Sequence, residues 1–411
     1  MTRNTMCRDC GSKELVQFLD LSDQPPANAF IRPEQIGSEH FYPLKAYVCA
    51  TCQLVQLVDI VDLNELFQNY VYLTAGAGPT TPAHFIDYAE RVIARYALDE
   101  NAFIVELGSN DGLLLGAFQK RGRKNILGID PAENIARIAN SRGIPTVAKP
   151  WSEDIAHEIS GEHGQADVII GNNVVAHIND HHDLVRGIKA LLKPSGVFIF
   201  EAPYLIDMFE NLSYDTIYHE HLSCLSLRPV KRMFESLGLE VFDMKVKSVQ
   251  GVSMRVFVGW PGAHRISNRV EEFVNKEEGM NLNLVDSYHN LAKRVERRRE
   301  KFVGLLASLK NKGKRIAGYG APAKGNTMLN YAKIGPETLE YLTEDLPTKI
   351  GLLSPGVHIP VRSIADARND PPDYFLMLAW NYAGAILEKE KAMRERGTKF
   401  IIPVGGYLKV I

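Results

Sequence analysis

The sequence predicts a three-domain α/β protein, and three observations carry that prediction. Two C-x-x-C pairs, Cys7 with Cys10 and Cys49 with Cys52, mark a small zinc-binding domain over residues 1–80. The segment IVELGSNDGLLLG at 104–116 reads as strand, glycine turn and helix, the opening of a central Rossmann-like domain over 81–262. The segment KRIAGYGAPAKGNTMLNY at 314–331 repeats that logic and opens a C-terminal Rossmann-like domain over 263–411. A chain of 411 residues is too long for one hydrophobic core, so division into domains is required.

The 47 basic and 49 acidic residues leave a formal charge of −2 with no long basic run, which argues against a nucleic-acid footprint. The opening MTRNTMCRDC has no apolar secretory core, and no later apolar run approaches the roughly 18 residues of a membrane span. A cytoplasmic protein away from membranes is the expectation, with its oligomeric state left open. In a reducing compartment C-x-x-C pairs serve as metal ligands or redox pairs more often than as structural disulfides.

In the first domain, each C-x-x-C turn aims two thiolates at one ion, and two such pairs complete a tetrahedral all-thiolate zinc site. Four protein ligands leave no open position, so the zinc is expected to be structural; redox service is the competing use of the motif. The 38 residues between the pairs must hold structure of their own: QFLDLSDQPPANAF at 17–30 is turn-rich, and FYPLKAYVC at 41–49 alternates as a strand. Next, LFQNYVYLTAG at 66–76 places Tyr70 and Tyr72 on one side of an extended chain, a spacing that a half-buried surface also explains.

In the central domain Ile104 and Val105 end a buried parallel strand, and Gly108 and Gly112 let the backbone turn tightly and approach a ligand. The spacing is E-x-G-x-N-x-G, from Glu106 through Asn110, rather than the dinucleotide fingerprint G-x-G-x-x-G. The next strand, NILGID at 125–130, ends in Asp130 about 20 residues after the glycines, where a carboxylate can accept both hydroxyls of a ribose. This pairing resembles motif I and the following acidic position of S-adenosylmethionine-dependent methyltransferases. GIPTVAKPWSED supplies a third strand ending near Pro150 and Trp151, whose ring could cover an adenine. ADVIIGNNVVAHIND supplies a fourth at 166–171 with Asn172, Asn173 and His177 at its exit, and GVFIFEAPYL a fifth at 196–205. Ligands of such sheets gather at the carboxyl ends of the strands, so Glu106, Asp130, Trp151, Asn173 and His177 are expected at one crevice.

The segment SYDTIYHEHLSCLSL at 213–227 holds Tyr218, His219, Glu220 and His221 in succession, which puts acid, base and hydroxyl donor within four residues. A metal site is the competing use, although H-E-H lacks the i, i+4 spacing of H-E-x-x-H and offers no obvious third ligand.

The charged stretch at 268–313 reads as a solvated long helix or helix pair joining the halves. After it, Gly318, Gly320 and Gly325 permit close backbone approach, a helix beginning near Asn326 points free amides at an anion, and Lys324 adds a cation. The absence of a Walker pattern argues against nucleotide hydrolysis, and packing against the central domain is the structural alternative. YFLMLAW at 374–380 and KFIIPVG at 399–405 complete a second small α/β sheet.

Taken together, the double C-x-x-C, the Y-x-Y of 70–72, ELGSNDG, NNVVAHIND, YHEHLS and GYGAPAKGNTMLNY resemble the sugar C-methyltransferases, which methylate a carbon of nucleotide-linked deoxysugars. The resemblance covers nearly the whole chain. It implies S-adenosylmethionine as cofactor, structural zinc, and a nucleotide-linked keto-deoxysugar as substrate. It implies further that His221 is the base, accompanied by Tyr218, Glu220, His177 and one tyrosine of Y-x-Y, matched to Tyr72. Glu106, Gly108, Asn110, Gly112, Asp130, Trp151 and Asn173 then form the cofactor site, and Lys324, Gly325 and Asn326 take the sugar diphosphate. Methylating carbon needs a carbanion equivalent, so a base must remove a proton beside a ketone while donors hold the enolate oxygen. An O-methyltransferase, which needs no ketone, and a non-catalytic zinc- and nucleotide-binding scaffold are the alternatives.

Overall fold

The structure, a computed structural model, describes residues 1–67, 80–247 and 251–411. The N-terminal domain is built on an antiparallel sheet of β1 (Leu15–Gln24), β2 (Tyr42–Cys49) and β3 (Val55–Leu57), with the second C-x-x-C pair on the turn between β2 and β3. A fourth strand of this sheet comes from far along the chain. Ser223–Cys224, just past the Y-H-E-H run, pairs with β3, Ser223 opposite Gln56 and Cys224 opposite Val55.

Helix α1 (Thr80–Tyr96) leads to the central sheet, whose parallel strands are β4 (Ile104–Leu107), β5 (Ile126–Ile129), β6 (Thr146–Val147), β7 (Ala166–Asn172) and β8 (Leu192–Pro203). The hairpin β9 (Glu240–Lys247) and β10 (Ser253–Gly259) completes the order β9-β10-β8-β7-β4-β5-β6. Every residue of β4 and β5 is buried, as strands covered on both faces must be. From β4 the chain proceeds to β5 and β6 on one side and to β7 and β8 on the other, so a crevice opens at the carboxyl ends of β4 and β7. Helix α2 (Leu113–Gln119) starts directly after the glycine turn.

Two details differ from expectation here. Strand β6 stops at Val147, so Trp151 sits on a loop beyond the sheet edge. The hairpin escapes a search for apolar runs because Arg255 interrupts β10; it is buried there because Glu201 of β8 receives its Nε at 2.6 Å and the guanidinium lies 3.5 Å from the Tyr88 ring centroid.

The charged stretch is a helix pair, α3 (Asn268–Gly279) and α4 (Val285–Asn311), solvated as expected over much of its surface but anchored along one buried stripe. Glu277 of α3 is buried and accepts from the Tyr204 hydroxyl and the amides of Leu227 and Arg228, which fixes α3 to the central domain. Helix α4 buries Tyr288, Leu291, Val295, Phe302, Leu306 and Leu309 at helical spacing, and its Arg298 donates to the carbonyls of Pro403, Gly405 and Gly406.

The C-terminal sheet holds β11 (Ile316–Tyr319), β12 (Leu342–Glu344), β13 (Val361–Ser363), β14 (Tyr374–Met377), β15 (Lys399–Ile402) and β16 (Lys409–Val410) in the order β13-β12-β11-β14-β15-β16, parallel but for β16. It reverses direction of growth between β11 and β14, as the central sheet does between β4 and β7. Helix α5 (Ala323–Ala332) begins three residues earlier than expected, because Pro322, with no amide to donate, caps it in extended conformation. No helix among the described residues is long and apolar enough to cross a membrane.

Candidate active site

A cavity of about 950 Å³ lies between the two crevices, at the upper end of the range for small-molecule sites. One wall is the glycine turn after β4, the ends of β5 and β7, and the Y-H-E-H run. The loops after β11, β12 and β14 form the facing wall, and Asn28 with Ile60–Leu63 of the N-terminal domain contribute a third.

Glu106, Gly108, Asn110, Asp130, Trp151 and Asn173 all line the first wall. Gly112 does not; it is the N-cap of α2 at φ 76°, packed where a Cβ would meet Ile144 at 2.8 Å. Gly108, at φ 61°, has no room for a side chain either, since a Cβ would lie 2.0 Å from Val174. Asp130 accepts from the amides of Asn110 and Ala132, each at 2.9 Å, which fixes its carboxylate at the cavity edge. Burial raises its pKa, and those two amides oppose the rise. Glu106 is pushed well above the usual carboxylate range by burial and then by Asp111 and Asp130, and its Oε2 is buried with no hydrogen-bond partner among the described residues. Acids gathered around a glycine turn suit a ligand that brings donors and positive charge. Trp151 donates from Nε1 to the Leu184 carbonyl at 3.4 Å and packs on Gly187, where a Cβ would touch the ring at 2.8 Å.

The Tyr218 hydroxyl lies 2.8 Å from His221 Nε2, and His221 Nδ1 lies 2.7 Å from the Thr216 carbonyl oxygen. A carbonyl only accepts, so Nδ1 carries the proton and Nε2 accepts from Tyr218. The imidazole is thus oriented by Thr216, not by Glu220, whose Oε1 accepts from Asn28 Nδ2 at 2.7 Å. The His177 ring stands edge-on to His221 with centroids 4.9 Å apart. Burial lowers His177 to about 4, and burial, then His177 and Lys324, push His221 well below 6.5, so both imidazoles are neutral at neutral pH. His219 turns the other way, donating from Nε2 to the Tyr42 carbonyl at 3.3 Å, so the H-E-H run does not present its side chains to one point as metal ligands would.

On the facing wall Lys324 is half-buried and its ammonium lies 4.7 Å from the centroid of the Trp380 ring. Trp380 Nε1 donates to Asp215 Oδ2 at 2.6 Å. Burial raises the Asp215 carboxyl to about 6, and the nearby Lys324 opposes the rise. Gly325 and Asn326 are not brought to the cavity. A Cβ on Gly325 would meet Leu378 at 2.9 Å, and Asn326 donates from Nδ2 to the Ala27 carbonyl at 2.8 Å. Gly325 is a packing position inside the C-terminal domain, and Asn326 a contact from that domain to the N-terminal one. Tyr70 and Tyr72 lie outside the described residues.

The sequence reading missed Asn28, Asp215 and Lys349. Lys349 lines the cavity, buried, with Nζ donating to the Ala321 carbonyl at 2.9 Å and lying 3.6 Å from Glu344. Its segment LPTKIG carries no motif, so no signal pointed to it; Asn28, a polar residue inside the proline-rich turn PPANAF, offered one.

Away from the cavity, the ligand atoms of Cys7, Cys10, Cys49 and Cys52 lie within 4.8 Å of one another, with Cys7 to Cys52 and Cys10 to Cys49 each at 3.5 Å. A tetrahedral zinc at about 2.3 Å from each sulfur separates the sulfurs by about 3.8 Å, so the cluster fits a closed, structural zinc. The hydrogen bond between Cys7 and Cys52 lowers the first thiol and raises the second, and burial pushes Cys10 up to about 11. Four thiolates cannot coexist here without a cation, which is what zinc supplies.

Comparison with known proteins matches each domain in turn. A zinc binding domain model matches residues 7–67, a methyltransferase domain model 83–243, and a C-methyltransferase C-terminal domain model 248–405. The C-methyltransferase NovU of Streptomyces niveus is 35% identical over 400 residues, which is 97% of this chain and 95% of that protein. Among solved structures, the plantazolicin methyltransferase BpumL in complex with SAH is 13% identical at a TM-score of 0.36, covering 43% of this chain and 84% of that one. An S-adenosylmethionine-dependent methyltransferase from Clostridium acetobutylicum is 14% identical at a TM-score of 0.35, covering 44% and 92%.

Proposed function

The chain belongs to the C-methyltransferase family, and from that premise we propose that it uses S-adenosylmethionine to methylate a ring carbon beside the ketone of a nucleotide-linked keto-deoxysugar. The observation that carries this reading is the hydrogen-bonded chain Tyr218–His221–Thr216 at a cavity wall, with the His221 imidazole buried at its centre. Methyl transfer to carbon, unlike transfer to oxygen, first requires a C–H bond next to a carbonyl to break. His221 Nε2, neutral and oriented by Thr216, takes that proton, and the C–H electron pair becomes the enolate. Once protonated, Nε2 can no longer accept from Tyr218, which frees the phenol O–H to donate to the enolate oxygen. His177 assists from the exit of β7, with Tyr72 as a further candidate, and Glu220 fixes a substrate hydroxyl.

When bound, S-adenosylmethionine supplies an electrophilic methyl on a sulfonium. The first wall fits it: Asp130 for the ribose hydroxyls, Glu106 and its acidic neighbours for the cationic end, Trp151 for the adenine, and the Gly108–Asn110 turn with Asn173 for the remainder. Lys324 on the facing wall takes the sugar diphosphate. The test is incubation of purified protein with labelled cofactor and a panel of nucleotide-linked 4-keto sugars. The expected product carries its new methyl on a ring carbon by NMR. A methyl on oxygen would transfer the protein to the O-methyltransferases, and no turnover with any sugar would favour a scaffold.

A further inference from the structure

We propose that Asn28 is a positioning residue of the active site, by which the zinc domain sets the direction of Glu220. The inference rests on the role of Glu220 in the reading above. Asn28 lines the cavity and donates from Nδ2 to Glu220 Oε1 at 2.7 Å, across 192 positions of sequence. The loop that presents it is held on both sides. Asn326 grips the Ala27 carbonyl at 2.8 Å, and Ile31 exchanges backbone hydrogen bonds with Leu353 at 3.1 and 2.8 Å. Pro25 and Pro26 restrict the approach to the loop, and Phe30 is covered by the Lys349 ammonium at 4.8 Å from its centroid.

An amide suits this task. It offers a donor without bringing a second charge beside the carboxylate it aims. The receiving loop is docked to the same domain: the Leu57 amide donates to the Leu222 carbonyl at 2.9 Å, Ser223 and Cys224 pair with β3, and His219 donates to Tyr42. The Glu220 end of the bond is therefore docked on the zinc-domain sheet, while the loop that carries Asn28 leaves the same sheet at the end of β1 and is clamped from outside by the C-terminal domain.

The test compares N28A, N28D, E220Q and N28A/E220Q in the full chain, with zinc content and cofactor affinity as controls that should not move. N28A should lose about 10- to 100-fold in kcat, and the double variant should lose no more than E220Q alone. N28D keeps the side-chain shape and sets a second carboxyl against Glu220, which should move the acid limb of the kcat profile upward, opposed in part by the buried Lys349 ammonium that faces Glu220. If E220Q is impaired while N28A and N28D keep the normal kcat and pH profile, the Asn28 inference is overturned and Glu220 stands. If E220Q is fully active, the role of Glu220 falls and this inference with it.

Discussion

A buried imidazole is a base whose availability depends on how hard it is to protonate. Burial and His177 hold His221 well below 6.5. Protonation of the free enzyme that would disable it therefore belongs below pH 6.5, and kcat/KM should stay flat from pH 7.5 to 6.5 in a pH–rate profile. His221→Ala should lose methyl transfer by about 10²-fold or more, and with it any exchange of the substrate α-proton into deuterated water beside an inert cofactor analogue. Near-normal turnover would pass the role to His177 or Tyr72. Asp130→Ala should weaken S-adenosylmethionine binding by about one to two orders of magnitude in calorimetry. Side chains such as Asp130 were legible because the end of a parallel strand has a known direction. Gly325 and Asn326 were not, because the first turn of a helix presents its residues to several sides and spacing does not say which side meets the ligand. Asn28 was illegible as a partner of Glu220, since no local pattern reports a contact across two domains.

Among the elements, α3 shows how a charged helix can be structural. Its Glu277 satisfies a hydroxyl and two amides in a buried setting. Glu277→Ala leaves all three donors without that acceptor and should cost about 2–4 kcal/mol in chemical denaturation, with zinc content unchanged. The glycine turn makes a second case. Gly108→Ala drives a Cβ into Val174, so it should both lower the melting temperature and weaken cofactor binding, whereas Gly122→Ala, where a Cβ meets nothing, should do only the first, through its φ of 81°. Both strand–turn–helix units could be read from sequence because their short, wholly buried strands run straight into glycine turns. The β9–β10 hairpin could not, because its core contains an arginine whose partner lies on β8.

For the molecule as a whole, acid should act through buried histidines. Burial lowers His177 to about 4 and His181 to about 3, below the 6.5 of the unfolded chain. The unfolded state therefore binds protons first, and the stability present above pH 6.5 is lost as pH falls toward these values. Glu106, pushed upward, acts in the opposite sense. The measurement is thus a difference: His181→Gln should show a shallower loss of urea stability between pH 6.5 and 4.5 than the parent chain. Removal of zinc by a chelator should lower the melting temperature and abolish methyl transfer together, because the sheet that β3 belongs to also carries Ser223–Cys224 behind the catalytic run. That shared sheet also imposes an order on synthesis. A ribosome delivers β3 long before it delivers residue 223, so at roughly 5–20 residues per second the edge of β3 waits on the order of ten to thirty seconds for its partner. During that interval the newborn N-terminal domain carries an open strand edge, the feature by which nascent chains join one another. An N-terminal fragment expressed alone keeps that edge bare indefinitely, and the same fragment made beside residues 80–411 has a strand to receive.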